Sequence, residues 1–310
     1  MTKEKNFVSA VVYIYNAENR ITDFLRMIID VLQVNFEHSE IICVNDNSTD
    51  ESVNVVKQVS KFAYSTNVSI LNMSFFHGVE LAMNAGVDLA IGDFVFEFDN
   101  TYLDYDQSEI MNVYKKALEG YDIVCAAPDR KASLTSKLFY KIFDGFTDIS
   151  YKMTTESFRV LSRRVINRIS TMNKTIPYRK AVYARSGLKT YCIKYSSKNV
   201  KIKKDKLEKG YRKELAMDTL ILFTDIGYKF ASVMTLLMML ISVAMVTYTI
   251  IIYVTANPVV GWTTTILFLA FAFFGLFGIL TIVIKYLQLI IDLIFKKKYY
   301  SFESIEKLTK

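Results

Sequence analysis

Cysteine and histidine are scarce in this sequence, and their scarcity excludes several kinds of site. The three cysteines, Cys43, Cys125 and Cys192, lie far apart within apolar or aromatic strand-like runs. That placement predicts buried thiols and excludes a disulfide-rich scaffold or a cysteine zinc site. The two histidines, His38 and His77, lack the spacing of a histidine metal site. Oxygen ligands remain as the candidates for binding a metal.

Charge is absent from a long stretch towards the C-terminal end. Residues 230–284 contain no Asp, Glu, Lys or Arg, and one membrane-spanning helix needs roughly 20 apolar residues. The sequence therefore predicts two spans, at 230–254 and 262–284, joined by an uncharged loop at 255–261. Lysines at 296–298 follow the second span, so the positive-inside rule predicts that both termini are cytoplasmic.

The N-terminal end also lacks a feature, the apolar core of a signal peptide. Residues 1–6 lead directly into a strand-like pattern, so we expect the first domain to stay in the cytoplasm. Together with the two spans, this predicts a multi-pass protein of the inner (plasma) membrane. Gly275 and Gly278 offer a small-residue surface in the second span, so a homo-oligomer is possible.

Positive charge is concentrated just before the uncharged run. Residues 198–213 contain eight Lys or Arg and two acidic residues, a local charge of +6 against +7 for the whole chain. A solvated linker would have this composition too. Basic residues beside anionic lipid gain roughly 1 kcal/mol each, so we expect this segment to face a membrane surface or a lipid phosphate. A nucleic-acid partner is not expected.

Strand-like and helix-like patterns alternate before this basic stretch, which predicts a doubly wound, mostly parallel α/β domain. Strands are predicted at 7–15, 40–44, 68–71, 92–100, 121–127 and 191–195, and helices at 20–34, 51–62, 77–90, 107–119, 136–146 and 156–169. The predicted organisation is an α/β domain at 1–197, a basic and interfacial segment at 198–229, two transmembrane helices at 230–294 and a cytoplasmic tail at 295–310.

The stretch 92–100 (GDFVFEFDN) has the pattern of a strand buried on both faces that ends in acidic residues. Ligands of open α/β sheets bind beyond the carboxyl ends of the strands. Glu97 and Asp99 are two residues apart, so they project to one side. Carboxylate oxygens suit Mg²⁺ or Mn²⁺, and such a cation could hold a diphosphate. An ordinary polar strand end is the alternative.

The order of these motifs resembles a known family. Tyr15-Asn16-Ala17-Glu18 after the first strand, residues 44–50 (VNDNSTD) after the second, a Gly/Ala-rich helix, and then Gly92-Asp93 and Glu97-Phe98-Asp99 are similar to family-2 glycosyltransferases of GT-A fold. With the two spans, the chain resembles the membrane-anchored polyprenyl-phosphate glycosyltransferases. The resemblance implies a Rossmann-like GT-A catalytic domain, a nucleotide-sugar donor, a polyprenyl phosphate acceptor and Mg²⁺ or Mn²⁺.

The resemblance also implies roles for particular residues. Asp99 and Glu97 would bind the metal, and Arg159 would match the basic position of an Asp-Phe-Arg-Leu-like motif. The donor pocket would be formed by Tyr15, Asn16, Glu18, Asp46 and Ser48. The acceptor phosphate would be bound by basic residues, namely Arg130, Lys131, Lys137 and Lys204.

Two departures from the family pattern keep other functions open. Asn45 replaces an acid before Asp46, and Ser157 stands where the family has an Asp. The resemblance implies an inverting transferase, and UDP is the favoured nucleotide. The missing Asp does not exclude activity, because an anionic lipid phosphate needs no general base. One alternative is transfer to a lipid-linked saccharide or a glycerolipid, with Glu156 or Asp148 as the base. The other is an inactive scaffold of the same fold.

Overall fold

The fold centres on an eight-stranded mixed sheet. The computed structural model describes residues 3–129, 155–171, 178–198 and 300–309, together with 210–211, 214–218 and scattered positions from 233 to 290. The strands lie in the order β7-β5-β6-β4-β1-β2-β3-β8. Their bounds are β1 Val8–Ile14, β2 Ser39–Asn45, β3 Thr66–Met73, β4 Phe94–Phe98, β5 Ile123–Pro128, β6 Phe158–Ser162, β7 Thr190–Tyr195 and β8 Phe302–Lys307.

Helices cover both faces of this sheet, as the alternating sequence pattern predicted. Their bounds are α1 Glu18–Asn35, α2 Ser52–Val59, α3 Val79–Leu89, α4 Ser108–Leu118, α5 Arg163–Thr171 and α6 Arg179–Arg185. Side chains of α1, α2 and α4 pack in one apolar core with Val8, Ala10 and Val12 of β1. Side chains of α3, α5 and α6 pack in a second core with Val11 and Tyr13. The period of two along β1 therefore divides its side chains between two layers.

The parallel part of the sheet is its centre. β1 pairs in parallel with β2 and β4, and β2 pairs in parallel with β3, so the carboxyl ends of these strands share one edge. Helix α3 approaches this part closely because Gly86 has no side chain. A Cβ at Gly86 would overlap the side chains of Val11 and Val44, which explains the small residues of the predicted helix at 77–90.

The predicted helix at 156–169 is partly wrong. Residues 158–162 form β6, which pairs antiparallel with both β4 and β5, and helix α5 begins at Arg163. The four side chains from Phe158 to Leu161 are buried, so burial between two strands overrides the helical spacing. The predicted helix at 136–146 lies outside the described residues.

The C-terminal tail contains a strand that the sequence analysis did not predict. β8 pairs antiparallel with β3 and extends the sheet by one strand. Lys198 on the other side of the uncharged run donates its backbone N–H to the Asp104 carbonyl, at 2.9 Å. The domain therefore includes chain from both sides of the run 230–284.

The predicted spans fall largely outside the described residues. Within the part of the chain that the structure describes, no helix has both the length and the apolar character needed to cross a bilayer.

Candidate active site

One edge of the sheet carries the residues predicted to bind the donor. The carboxyl ends of β1, β2 and β4 bring together the turns at 15–18 and 46–50 and the acidic residue Asp99. This is the location that open α/β sheets use for ligands. The edge has two different parts, one centred on Asp46 and one on the Glu97–Asp99 pair.

Asp46 is fully buried and is held by neutral hydrogen-bond donors. Its carboxylate accepts from the backbone N–H groups of His77 and Gly78, each at 2.8 Å, and from the Tyr13 hydroxyl at 2.9 Å. Burial raises the pKa of Asp46, although these three donors oppose the change. With its oxygens engaged in this way, Asp46 fixes the segment around His77. A contact from Asp46 to a nucleotide base stays a prediction.

The other predicted donor residues connect the two turns to each other. Asn16 has a φ of 44°, a left-handed conformation that Asn tolerates, and its side chain accepts from the Thr49 backbone N–H at 2.9 Å. The Asn16 backbone N–H donates to Ser48 Oγ at 3.1 Å, and Glu18 accepts from the Glu51 backbone at 3.1 Å. Three predicted donor residues thus hold the turns together.

Tyr15 contributes an aromatic face to this part of the edge. Its ring lies against Phe76, with 4.7 Å between the centroids. The structure therefore brings Tyr15, Asn16, Glu18, Asp46 and Ser48 into one region, although their contacts with a donor remain untested.

The second part of the edge is a buried cluster of carboxylates and arginines. Arg159 on β6 donates to Glu97 at 2.8 Å and to Asp99 at 2.9 Å. Arg179 at the start of α6 donates to the other oxygens of the same two carboxylates, at 2.7 and 2.5 Å. The two guanidinium groups therefore hold Glu97 and Asp99 side by side, as the spacing of two predicted.

Two further carboxylates complete the cluster. Glu80 on α3 accepts from Arg179 Nε at 3.0 Å, and Glu156 accepts from Arg159 Nε at 3.0 Å. Lys180 lies 3.9 Å from Glu156. Four carboxylates thus face three cations, so these residues carry a formal net charge of −1.

The arginines decide the charge state of Asp99. Burial would raise the pKa of Asp99, but Arg179, Arg159 and Lys180 together lower it below the ordinary value for Asp. Burial would likewise lower the pKa of both arginines, but the carboxylates raise it well above the usual value. The Asp99 carboxylate is therefore ionised at neutral pH.

Glu97 does not fit the predicted role of metal ligand. Its side chain is fully buried, and its oxygens accept from Arg159, from Arg179 and from the Tyr183 hydroxyl at 2.8 Å. Asp99 differs because its side chain is 19% exposed and each oxygen carries two lone pairs. Asp99 can thus offer an oxygen to a cation, whereas Glu97 is committed to the arginines.

No group of three or more His, Cys, Asp or Glu side chains within the described residues is arranged to bind a metal ion. Because Glu97 is bound to Arg159, Arg179 and Tyr183, Asp99 is the carboxylate of the pair that fits a cation.

Sequence reasoning predicted Arg159 but missed Arg179, Glu80 and Tyr183. Arg179 and Tyr183 lie four positions apart on a short helix that the sequence analysis did not predict. Glu80 had a usable signal, since it is one of two acids within the small-residue helix predicted at 77–90. Burial of such an acid requires a cationic partner, and Arg179 is that partner.

The two departures from the expected motifs have local explanations. Asn45 donates to the Asn72 side chain at 2.9 Å and accepts from the Ser48 backbone at 3.1 Å. Ser157 hydrogen-bonds the Tyr195 hydroxyl at 2.5 Å. Both residues form hydrogen bonds within the domain, and neither adds a charge to the sheet edge.

Several predicted residues lie outside the described residues, so their positions stay predictions. These are the acceptor-phosphate residues Arg130, Lys131, Lys137 and Lys204 and the alternative base Asp148. All three cysteines are thiols outside any disulfide. Cys43 and Cys125 are buried, as predicted, but Cys192 is only partly buried, so the prediction of a buried thiol is wrong there.

The profile of one protein family matches more than half of this chain. Glycosyl transferase family 2 matches residues 9–173, a range that includes the Asp46 turn and the Glu97–Asp99 pair.

Two relatives illustrate the range of similar proteins. An uncharacterized glycosyltransferase from Synechocystis is 30% identical over 186 residues, which cover 58% of each chain. A prophage bactoprenol glucosyl transferase homolog from Escherichia coli is 24% identical over 196 residues, which cover 61% of this chain and 62% of the relative. The chain thus spans less than two thirds of the length of both relatives.

A solved structure supports the fold. The mannosyltransferase PcManGT from Pyrobaculum calidifontis, in complex with GDP-Man and Mn²⁺, matches with a TM-score of 0.51 and 16% identity. The match covers 70% of this chain and 63% of that one. At this identity the likeness shows the shared GT-A α/β fold.

Proposed function

The chain belongs to glycosyl transferase family 2, and on this premise we propose that it transfers a sugar from a nucleoside-diphosphate sugar to a polyprenyl phosphate at the inner face of the plasma membrane. UDP is the favoured nucleotide. The product, a polyprenyl-phosphate sugar, would serve the synthesis or modification of a surface glycan.

The observation that carries this proposal is the pair of adjoining regions at the sheet edge. The turns around Asp46 provide polar groups and the aromatic face of Tyr15 for a nucleotide. The arginine–carboxylate cluster lies at the end of β4, separated from β2 by β1. A nucleoside diphosphate placed across these strand ends would have its base near Asp46 and its phosphates near Asp99.

A phosphate acceptor fits the chemistry of this edge better than a sugar hydroxyl. A phosphate oxygen is already anionic at neutral pH and needs no base. It would attack the anomeric carbon while the bond from that carbon to the diphosphate breaks. The electron pair would leave with the nucleoside diphosphate, and the anomeric configuration would invert.

The cluster provides no free base for the alternative acceptors. Glu156, the candidate base within the described residues, is 5% exposed and is bound to Arg159. The name of one relative, a bactoprenol glucosyl transferase homolog, gives separate support for a polyprenyl acceptor.

We include a divalent cation, Mg²⁺ or Mn²⁺, in the proposal, with Asp99 as its protein ligand. A bound cation would offset the charge of the departing diphosphate. The net negative charge of the cluster and the open lone pairs of Asp99 support this assignment. Arg159 and Arg179 do not need to contact the substrate, because their guanidinium groups hold Asp99 in place. They are positioning residues.

Two membrane spans with cytoplasmic flanks are also part of the proposal. Lys198 and Tyr300, on opposite sides of the uncharged run, both bind to the domain, through Asp104 and Asp88 respectively. A chain that leaves a domain and returns to it on one side of a bilayer crosses that bilayer an even number of times. This supports the two spans and the outside loop at 255–261.

Cysteine labelling tests this topology. With the native cysteines replaced, an Asn257→Cys variant should react with a membrane-impermeant maleimide in intact cells. Labelling that requires permeabilised cells would contradict the proposed arrangement.

The transfer reaction has a direct test. Purified full-length protein would be incubated with a panel of nucleotide sugars, undecaprenyl phosphate and Mn²⁺, and the lipid products would be read by mass spectrometry. We expect one hexose added to the lipid phosphate and release of the nucleoside diphosphate. Transfer to a lipid-linked saccharide or a glycerolipid would reject the acceptor. Nucleotide binding without any transfer in membrane extract would favour the scaffold alternative.

A further inference from the structure

The segment 74–78 (SFFHG) connects β3 to α3 and contacts both predicted donor features of the nearby edge. Its His77 and Gly78 backbone N–H groups bind the buried Asp46 carboxylate. Its Phe76 ring supports Tyr15. A displacement of this segment would therefore move Asp46 and Tyr15 together.

Tyr211 holds the segment from one side. Its ring occupies the place that a side chain at Gly78 would take, since a Cβ there would overlap the ring. It also packs edge-on against Phe76, with 6.0 Å between the centroids. Gly78 has a φ of 79°, so this position needs glycine both for its backbone conformation and for the space that Tyr211 fills.

Tyr211 also contacts helix α3, because its phenol forms a hydrogen bond with the Glu80 backbone. Burial raises the pKa of the Tyr211 phenol, and the carboxylates of Glu80 and Asp46 raise it further, while that hydrogen bond and Arg179 oppose the change. Tyr211 therefore connects the segment 74–78 to the helix that carries Glu80.

Ser301 binds the same segment through other atoms. Its backbone N–H donates to His77 Nε2 at 3.2 Å, and its carbonyl accepts from the Ser74 N–H at 3.0 Å. The hydroxyl groups of Ser74 and Ser301 are 2.8 Å apart. His77 Nδ1 lies 2.6 Å from the Phe75 carbonyl, which favours a tautomer with Nε2 free to accept.

The two contacts come from opposite ends of one stretch of sequence. Tyr211 precedes the uncharged run 230–284 and Ser301 follows it. The segment 74–78, which binds Asp46, therefore contacts residues that precede and residues that follow the two predicted membrane spans.

We propose that Tyr211 and Ser301 are positioning residues for the donor nucleotide, which act by holding the segment 74–78 against Asp46 and Tyr15. This inference rests on the proposed function, because it assumes that the Asp46 region binds a nucleotide. It adds that the donor site is completed by residues that flank the predicted spans and that lie 165 or more positions from Asp46 in the sequence.

The test uses the full-length protein and three variants. Tyr211→Ala removes the ring over Gly78, Tyr211→Phe keeps the ring, and Tyr64→Ala removes a tyrosine that is 82% exposed. Loss of one aromatic contact should raise the KM for the nucleotide sugar about two- to tenfold in Tyr211→Ala, with kcat nearly unchanged. Tyr64→Ala should resemble the wild type. Tyr211→Phe keeps the ring but loses the hydrogen bond with the Glu80 backbone, so its effect should be smaller than that of Tyr211→Ala.

Hydrogen exchange provides a readout that does not depend on activity. The amides of His77 and Gly78 should exchange faster in Tyr211→Ala, while peptides from β1 and β2 should stay protected as the control for folding. Ser301→Pro, which removes the N–H donor to His77, should have the same effect, and Ser301→Ala should have a much smaller one.

The outcomes separate this inference from the proposed function. Unchanged exchange and an unchanged KM in Tyr211→Ala would overturn it. A raised KM without faster exchange would also overturn it, since Tyr211 would then contact the nucleotide directly. The His77 and Gly78 amides could exchange faster in Tyr211→Ala while the wild-type protein binds no nucleotide sugar. That result would support the contact of Tyr211 with the segment 74–78 and would reject the proposed function.

Discussion

Asp46 and Asp99 are acidic residues at the same edge of one sheet, yet their surroundings have opposite effects. Asp46 is bound by two backbone N–H groups and one phenol, and burial raises its pKa. Asp99 is bound by two guanidinium groups, which lower its pKa despite burial. The comparison teaches that the charge of the partners, more than burial alone, decides whether a carboxylate at this edge stays ionised.

The different partners also give Asp46 and Asp99 different roles. Two of the three neutral partners of Asp46 are backbone N–H groups, so that carboxylate organises the chain around the predicted nucleotide pocket. The cationic partners of Asp99 keep a negative charge fixed where the donor diphosphate is proposed to lie. A charge that must face a ligand needs such support, because an unpaired buried carboxylate is strongly unfavourable.

The largest effect should come from removal of one arginine beside Asp99, which should lower the stability of the fold. In Arg179→Met, Glu80 would remain buried without its cation and Glu97 would keep only Arg159. Breaking a buried ion pair costs about 3–5 kcal/mol. We expect that loss in the free energy of unfolding, measured by denaturant titration of the full-length protein in detergent.

Arg164→Met is the matched control for that variant. Arg164 pairs with Asp122, but its side chain is 65% exposed, and exposed pairs contribute about 1 kcal/mol or less. Equal losses in the two variants would show that the cluster around Asp99 is not a buried network.

Asp99→Asn should have an intermediate effect, on the donor rather than on the fold. The variant keeps the size of the side chain but removes the charge that faces a cation. We expect nucleotide-sugar binding in the presence of Mn²⁺ to weaken at least tenfold, which is about 1.4 kcal/mol, as measured by calorimetry.

Glu97→Gln is the control at the neighbouring carboxylate. Because Glu97 is enclosed by Arg159, Arg179 and Tyr183, its substitution should lower stability and reduce Mn²⁺-dependent donor binding less than Asp99→Asn does. Wild-type affinity in Asp99→Asn with Mn²⁺ would remove Asp99 from the donor site. The scaffold alternative would then be favoured.

The smallest effect should be on the pH dependence of stability, to which Asp46 and Asp99 should contribute with opposite signs. The folded-state pKa of Asp99 is lowered, so its contribution to stability is present above about pH 3.9, the value for unfolded Asp, and is lost as the pH falls through the folded-state pKa. The folded-state pKa of Asp46 is raised, so its contribution is present below about pH 3.9 and is lost as the pH rises through the folded-state pKa.

Thermal unfolding across this pH range checks the signs. Relative to the wild type, Asp99→Asn should lose less stability as the pH is lowered below 3.9, and Asp46→Asn should lose less as the pH is raised above it. The same sign in both variants would refute the proposed difference between neutral and cationic partners.

Local sequence patterns predicted the α/β alternation, the buried strand at 94–98 and the position of the acidic residues at its end. These features depend on periods of two and of about four residues, which a short window of sequence contains. The same window misassigned residues 158–162, because their strand conformation depends on β4 and β5, which lie far away in the sequence.

The sequence by itself determined that Glu97 and Asp99 project to one side at the end of a strand and that Asp46 directly follows another strand. Only the tertiary structure decided what surrounds them. Arg179 reaches the pair from 80 residues away in the sequence, and Ser301 reaches His77 from 224 residues away. Such contacts carry no periodicity in the sequence, and they form when burial brings each polar group to the nearest partner able to satisfy it.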